Sequence, residues 1–373
     1  MPGPSVRQNV LTQTRRVVVK VGTGVICDER GRPDRKAISQ LAGQIAKLRA
    51  GGVEVALVAS GAIGAGLGEM NLPARPKDVP QLQALAAIGQ GQLMRTFHDI
   101  FARRGIVVAQ VLVTRDSFED RTRYLNIRNT LGALAEHQAL PIINENDTVA
   151  VDEIRFGEND ILAAHITNLL SAELLVLLTN VDGLLAEGQV VDTVEQVDIG
   201  TMKLVQPNRS ALGSGGMASK LAAAELVTRA GEAVVIANAK TPRILPRLLA
   251  GETLGTVFVP AGRKLTSRQR WIGQTAKPAG AITIDPGAAT ALQKRGKSLL
   301  PSGIRCVSGK FVKGDTVAIV DEAGREIARG LSNYPADQLR QIKGLKTSQI
   351  AKTLGDKPYD AVVHRNNMTV LNR

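Results

Sequence analysis

Short apolar runs that do not alternate with polar residues recur along this 373-residue chain. The first run, RRVVVKV, ends at Val21, and a segment with helical apolar spacing follows between Asp34 and Ala50. Strands that are buried on both faces have continuous apolar runs, whereas strands with one solvated face alternate. The pattern therefore predicts an α/β fold, a three-layer αβα sandwich with a mainly parallel open sheet.

The predicted elements of this sheet domain alternate regularly. The strands are 15–21, 53–59, 106–113, 140–143, 174–178 and 233–237. The helices are 34–50, 81–104, 121–137, 160–170, 219–230 and 243–249. The second strand runs into the glycine-rich stretch 60–68, to which no helix is assigned.

The length of the chain predicts two domains. Polar, basic residues around the only tryptophan, Trp271, mark a boundary, and short strands with frequent glycine then predict a small β-barrel. We place the domains at 1–262 and 279–373, with a linker at 263–278. From residue 275 onward, Lys and Arg outnumber Asp and Glu by 16 to 8. This excess fits a basic accessory module, although basic surfaces also serve anionic metabolites or solubility.

Several classes of protein are disfavoured by the sequence. No apolar run approaches the ~18–20 residues of a membrane span, and the N-terminus lacks the apolar core of a signal peptide. Cys27 and Cys306 lie far apart, and the four histidines show no ligand spacing. We predict a reduced cytoplasmic protein without membrane contact and without a metal site made by its own side chains.

A polar cluster follows the predicted strand 140–143. It comprises Asn144-Glu145-Asn146-Asp147 and, further along, Glu158-Asn159-Asp160. Open α/β sheets bind ligands at the carboxyl ends of their strands, and carboxylates and amides there suit an ammonium group, a metal ion or a lysine. The alternative is a solvated loop whose side chains cap the next helix.

Three glycine turns follow strands or open helices: 22–24, 60–62 and 213–220. Such turns expose backbone N–H groups that bind phosphate, but none matches the Walker or Rossmann fingerprint. Lys20 lies within a valine run, where an unpaired ammonium group is costly, unless its stem reaches the surface. Lys20 and Lys220 could neutralise charge in phosphoryl transfer, and Asp160 is the candidate that holds both.

These motifs resemble the glutamate 5-kinase family, within the wider amino-acid kinase family. The resemblance runs from about Arg15 to the C-terminus, and its last part, roughly 279–356, resembles a PUA domain, an RNA-binding type of small β-barrel. The segments that carry it are VVKVGT at 18–23, VASGAI at 58–63, IINEND at 142–147, GEND at 157–160 and SGGMASK at 214–220.

The resemblance implies ATP-dependent phosphorylation of the γ-carboxylate of L-glutamate, the first step of proline biosynthesis, with Mg²⁺ accompanying ATP. The carboxylate is itself the nucleophile, so no general base is required. The implied catalytic residues are Lys20, Asp160 and Lys220. Glutamate would be bound by Ser60, Gly61, Asp147 and Asn159. ATP would be bound by Lys20, Gly22, Thr179, Asn180, Ser214, Gly215, Gly216, Met217, Ala218, Ser219 and Lys220.

Two positions depart from the family's usual pattern, because aspartate is usual at Asn180 and serine at Gly24. The resemblance further implies feedback inhibition by proline, a homo-oligomer (dimer or tetramer), functional pairing with glutamyl phosphate reductase and RNA binding through the PUA domain. Two alternatives stay open: a kinase for a related acidic amino acid such as acetylglutamate, and an RNA-binding protein on a kinase scaffold. The last 94 residues contain few aromatic residues, whereas base stacking needs them clustered.

Overall fold

The fold is described from a computed structural model, which places residues 5–150, 158–204, 216–261 and 264–371. These residues pack into two compact units. The first lies within Met1–Ser117 and Thr122–Lys264, and the second within Phe118–Arg121 and Leu265–Arg373. No helix in the described ranges is both long and apolar enough to cross a membrane.

The first unit is built on an eight-stranded sheet in the order β3-β4-β2-β1-β5-β9-β10-β8. All neighbouring strands are parallel except β9 and β10, which are antiparallel. The strands are β1 (Arg16–Val21), β2 (Glu54–Ala59), β3 (Val108–Val113), β4 (Leu140–Glu145), β5 (Leu174–Thr179), β8 (Thr193–Val194), β9 (Ala233–Asn238) and β10 (Thr256–Phe258), and β6 (Leu185–Ala186) with β7 (Gln189–Val190) forms a separate ribbon.

Helices connect these strands, and Asp34 and Asp78 cap two of them through their side chains. The helices up to Thr228 are α1 (Val6–Thr12), α2 (Thr23–Ile26), α3 (Arg35–Ala50), α4 (Ala62–Glu69), α5 (Val79–Ala102), α6 (Asp116–Glu119), α7 (Arg121–Glu136), α8 (Glu158–Leu170), α9 (Ile199–Lys203) and α10 (Met217–Thr228). Helix α11 (Ile244–Leu249) follows β9. The predicted α/β class with a mainly parallel sheet is confirmed.

The structure adds one helix and corrects one turn. The glycine-rich stretch 60–68, to which no helix was assigned, is mostly helical, because Ala62–Glu69 forms α4 and packs closely against α5. The tight turn predicted at 22–24 instead starts the short helix α2, with Gly22 at its N-cap. In both places a helix begins directly beyond a strand, so that each helix N-terminus lies at the carboxyl end of the sheet.

The second unit contains a five-stranded mixed sheet in the order β12-β11-β13-β14-β15. Its strands are β11 (Gly280–Ile284), β12 (Ile304–Gly309), β13 (Thr316–Val320), β14 (Glu326–Leu331) and β15 (Met368–Val370). Its helices are α12 (Ser267–Arg270), a π-helix (Trp271–Thr275), α13 (Pro286–Arg295), α14 (Ala336–Ile342) and α15 (Ile350–Leu354). The predicted strand-rich second domain is confirmed, but its described strands form an open sheet rather than a closed barrel.

Candidate active site

Three buried charged side chains meet at the carboxyl end of the first sheet. Lys20 is near the end of β1, Asp160 is in the first turn of α8, and Lys220 is in the first turn of α10. The Nζ atom of Lys20 lies 2.7 Å from Oδ1 of Asp160, and Nζ of Lys220 lies 3.1 Å from Oδ2. Asp160 is 0% exposed, and the two lysines are 5% and 4% exposed. The structure thus brings together all three predicted catalytic residues.

The electrostatics of this trio favour an ionised carboxylate. Burial alone would raise the pKa of Asp160, but the charges of Lys20 and Lys220 and a hydrogen bond from Ser219 hold that pKa below its ordinary value. Burial lowers the pKa of Lys220, and Lys20 lowers it further, while Asp160 opposes both effects. Two ammonium groups around one carboxylate leave an excess positive charge, which suits an anionic ligand.

A cavity of about 1450 Å³ extends from this trio along the end of the sheet. Gly22, Gly61 and Gly216, the N-cap residues of α2, α4 and α10, all line it. Gly61 has a φ of 107°, a backbone conformation that favours glycine. Because the N-terminal end of a helix carries positive dipole and free N–H groups, this wall of the cavity is suited to phosphate.

A network of amide side chains lies at the carboxyl ends of β2 and β4. Asn159 Nδ2 donates to Ser60 Oγ at 2.9 Å and to Asn144 Oδ1 at 3.2 Å. Asn144 Nδ2 donates in turn to Gln90 Oε1 at 2.9 Å. Asn144 was noticed in the sequence as part of the polar cluster but was not chosen as a site residue. Gln90 was missed, because a polar residue on a long helix gives no signal of such a contact.

The remaining predicted site residues are placed as follows. Asp147, Thr179, Asn180 and Met217 line the same cavity. Ser219 does not line the cavity, but its Oγ donates to Asp160 Oδ2 at 2.8 Å. Ala218 is exposed on α10 and is not part of the cavity lining. Ser214 and Gly215 fall outside the described residues.

The two departures from the family pattern lie against each other. A Cβ atom added to Gly24 would lie 2.9 Å from Nδ2 of Asn180, and both residues line the cavity. The amide of Asn180 therefore occupies part of the space that a serine side chain at position 24 would need.

Cys27 also lines the cavity. Its thiol should be less reactive than that of Cys306, and this difference can be tested. Burial, with the charges of Asp28 and Asp34, raises the pKa of the Cys27 thiol to about 12, whereas Cys306 is exposed. Because the thiolate is the reactive form, we expect a maleimide at pH 7 to modify Cys306 at least about 100-fold faster than Cys27.

Peptide mass spectrometry over a time course of labelling measures the two rates separately. In concentrated urea both thiols should react at similar rates, which controls for local sequence effects. Equal rates in the native protein would show that the thiol of Cys27 is not protected as described.

The comparison with known families defines the class of protein. The sequence matches the amino acid kinase family over residues 15–238 and the PUA domain over residues 280–354. The first match covers more than half of the chain and contains the lysine–aspartate trio and every strand of the first sheet except β10. The chain therefore belongs to the amino acid kinase family and carries a PUA domain.

Curated relatives narrow this class. A glutamate 5-kinase of Caldanaerobacter subterraneus subsp. tengcongensis is 47% identical over 365 residues, which cover 96% of this chain and 98% of the relative. A glutamate 5-kinase of Citrifermentans bemidjiense is 43% identical over 372 residues, covering 98% and 100%. One of Geobacter sulfurreducens is 41% identical over 373 residues, with the same coverage. Within the amino acid kinase family, the chain belongs with the glutamate 5-kinases, so the resemblance found in the sequence is confirmed.

Proposed function

We propose that this protein is a glutamate 5-kinase, which transfers the γ-phosphoryl group of ATP to the γ-carboxylate of L-glutamate. The product, γ-glutamyl phosphate, is the first intermediate of proline biosynthesis. The observation that carries the proposal is the pair of buried lysines held by Asp160 at a cavity, in a chain whose full-length relatives are named glutamate 5-kinases. The same relatives argue against the acetylglutamate kinase and the RNA-binding scaffold as alternatives.

The charged trio suits this reaction. An oxygen of the γ-carboxylate forms a bond to the γ-phosphorus, the bond from that phosphorus to the β–γ bridging oxygen breaks, and ADP leaves with the electron pair. The attacking group is already an anion, so catalysis is chiefly positioning and stabilisation of charge. Lys20 and Lys220 stabilise the transferring group, and Asp160 holds both ammonium groups in place, which removes the need to reorganise them during the reaction.

Ser60, Gly61, Asp147 and Asn159 bind glutamate in this proposal. The Oδ1 atom of Asn159 is buried and accepts no hydrogen bond from any residue in the described ranges. A buried acceptor of this kind is costly unless a ligand pairs with it. Together with the carboxylate of Asp147, it supplies acceptors for the α-ammonium group of the substrate.

ATP occupies the other part of the cavity. Lys20, Gly22, Thr179 and Asn180 contribute from the strand ends, and Gly216, Met217 and Lys220 contribute from the start of α10. Ser214, Gly215, Ala218 and Ser219 are assigned to ATP by the family resemblance alone. Mg²⁺ enters with the nucleotide. The described residues contain no group of three or more His, Cys, Asp or Glu that could hold a metal ion, and Mg²⁺ is commonly bound by substrate phosphates and water. In this proposal the phosphates of ATP and water would hold Mg²⁺, whose charge would offset that of the phosphates.

Further parts of the proposal rest on the family. They are feedback inhibition by proline, a homo-oligomer, functional pairing with glutamyl phosphate reductase and a cytoplasmic location, where ATP is available. RNA binding by the PUA domain is supported by its basic charge. Its Phe311 and Tyr334 are buried and cannot stack on bases. Tyr359 is half-buried, and Nζ of Lys313 lies 4.6 Å from its ring centroid. One partly accessible ring is not a stacking platform, so such binding would be mainly electrostatic and sensitive to salt.

The test is an assay for glutamate-dependent ADP release with hydroxylamine present, which traps an acyl phosphate as a hydroxamate. We expect hydroxamate with glutamate but not with acetylglutamate or aspartate. Lys220→Ala should reduce the rate by about 10²–10³-fold, because it removes a preorganised cation from the transferring group. No hydroxamate with any of the three acids would refute the proposed function.

A further inference from the structure

Six basic side chains of the described residues line the cavity. They are Lys20, Arg30, Arg32, Arg75, Lys220 and Lys240. Lys20 and Lys220 are held by Asp160 at the centre. Lys240 follows β9, which is four strands away from β4 in the sheet order, or roughly 19 Å at the usual strand spacing. The three arginines and Asp147 line the same cavity.

Arg75 lies in the segment that leads into helix α5, three residues before its N-cap, Asp78. The first half of α5 is joined to β4 and to the segment after it, because Gln90 accepts from Asn144 and Gln83 Nε2 donates to the carbonyl of Ala150 at 3.3 Å. Asp147 lies in the segment between Asn144 and Ala150. These two hydrogen bonds hold the first half of α5 beside the segment that carries Asp147.

The charges of the two residues act on each other. Arg75 and Asp147 line the same cavity, and Arg75 is exposed there. Partial burial lowers the pKa of Arg75, and the carboxylate of Asp147 opposes that change. Arg32 donates from Nη2 to Asn71 Oδ1 at 2.7 Å. We therefore consider Arg75 first as the partner of the predicted ammonium-binding carboxylate.

A free α-amino acid carries an ammonium and a carboxylate group on one carbon atom. A site that binds it in this form needs an anion and a cation close together. We infer that Arg75 is a specificity-determining residue, which binds the α-carboxylate of glutamate while Asp147 binds the α-ammonium group. This inference rests on the proposed function and deepens it, because it requires both α-groups of the substrate to be free and charged.

The test compares L-glutamate with isoglutamine, its α-amide. Isoglutamine keeps the γ-carboxylate and the α-ammonium group but lacks the negative charge of the α-carboxylate. The wild type should prefer glutamate. Arg75→Ala should raise the KM for glutamate about 10- to 100-fold, as expected for loss of a charge-assisted hydrogen bond. Its kcat should stay within about twofold, and its KM for isoglutamine should not change, so the preference between the two substrates disappears.

Three variants control this experiment. Arg75→Lys keeps the charge and should restore part of the preference. Lys77→Ala removes an exposed charge from the same segment and should leave both KM values unchanged. Arg30→Ala removes the other candidate arginine and should keep the preference.

Two outcomes would overturn the inference. One is an Arg75→Ala enzyme with the wild-type KM and preference, and the other is loss of the preference in Arg30→Ala but not in Arg75→Ala. Either result leaves the proposed function intact, since the wild type would still form hydroxamate from glutamate. A wild type that forms none would refute the proposed function itself.

Discussion

Replacing Asp160 with asparagine is expected to abolish most of the activity and to destabilise the fold. The variant keeps the shape of the side chain but leaves the ammonium groups of Lys20 and Lys220 buried without a counter-charge. Breaking a buried ion pair by removing one partner typically costs about 3–5 kcal/mol. The rate of hydroxamate formation should fall by about 10²–10³-fold or more, because the two lysines lose the group that fixes their positions. Urea unfolding and the hydroxamate assay measure the two effects.

A double variant separates stability from catalysis. Adding Lys220→Met to Asp160→Asn removes one of the two unpaired charges and should recover part of the lost free energy of unfolding. The activity should stay lost, because the phosphoryl-stabilising lysine is gone. An Asp160→Asn enzyme with near-wild-type turnover would contradict the assigned role, whatever its stability.

The pH dependence of stability gives an independent check on Asp160. Its pKa in the folded protein lies below the ordinary value of 3.8, so its ionised form is favoured by folding. Its contribution to stability is therefore complete well above that value and is lost as the pH falls through the folded-state pKa. The unfolding free energy of Asp160→Asn should fall less steeply than that of the wild type over the same acid range.

The parallel sheet was predictable because its signal is local. The strand predicted at 15–21 is β1 at 16–21, and the one at 174–178 is β5 at 174–179. Each run is apolar on both faces because helices cover both sides of the sheet. The short strands β8, β10 and β15 were not predicted, since two or three residues give too little periodicity.

The charged trio could be found for a related reason. A lysine within a run of valines is unusual enough to require a partner, and the structure provides Asp160. The amide network could not be found in this way. Asn144 and Gln90 are 54 positions apart in the chain, and their hydrogen bond exists only because the fold brings α5, which packs against α4 and β3, up to the end of β4. Sequence patterns carry no information on such contacts.

The glycine-rich helix α4 shows a different limit, because its local sequence gives no sign of a helix. Glycine disfavours helices, yet Gly66 of α4 and Gly89 of α5 allow the two helices to pack in close contact. A Cβ atom added to Gly66 would lie 2.0 Å from the carbonyl oxygen of Leu85, and one added to Gly89 would lie 1.9 Å from that of Ala62. Tertiary packing therefore outweighs the cost of glycine within these helices.

This contact leads to the second large prediction, that Gly89→Ala destabilises the protein by about 3 kcal/mol, in the upper range for overpacking a tight interface. The new methyl group would meet backbone atoms, which cannot rotate away as a side chain can. Because α4 begins directly after Ser60 and Gly61, a shift of α4 should also raise the KM for glutamate. Thermal or urea unfolding and glutamate titration measure both effects.

Gly91→Ala is a closely matched control, two residues further along the same helix. Nothing lies within 4 Å of a Cβ atom added there. The substitution should stabilise the protein by about 0.5–1 kcal/mol, because alanine is the better helix former, and it should leave the KM for glutamate unchanged. Equal effects of the two substitutions would mean that helix propensity, and not the contact between α4 and α5, determines the response at Gly89. Opposite signs would show that the close approach of the two helices requires glycine and that it supports the glutamate-binding end of the cavity.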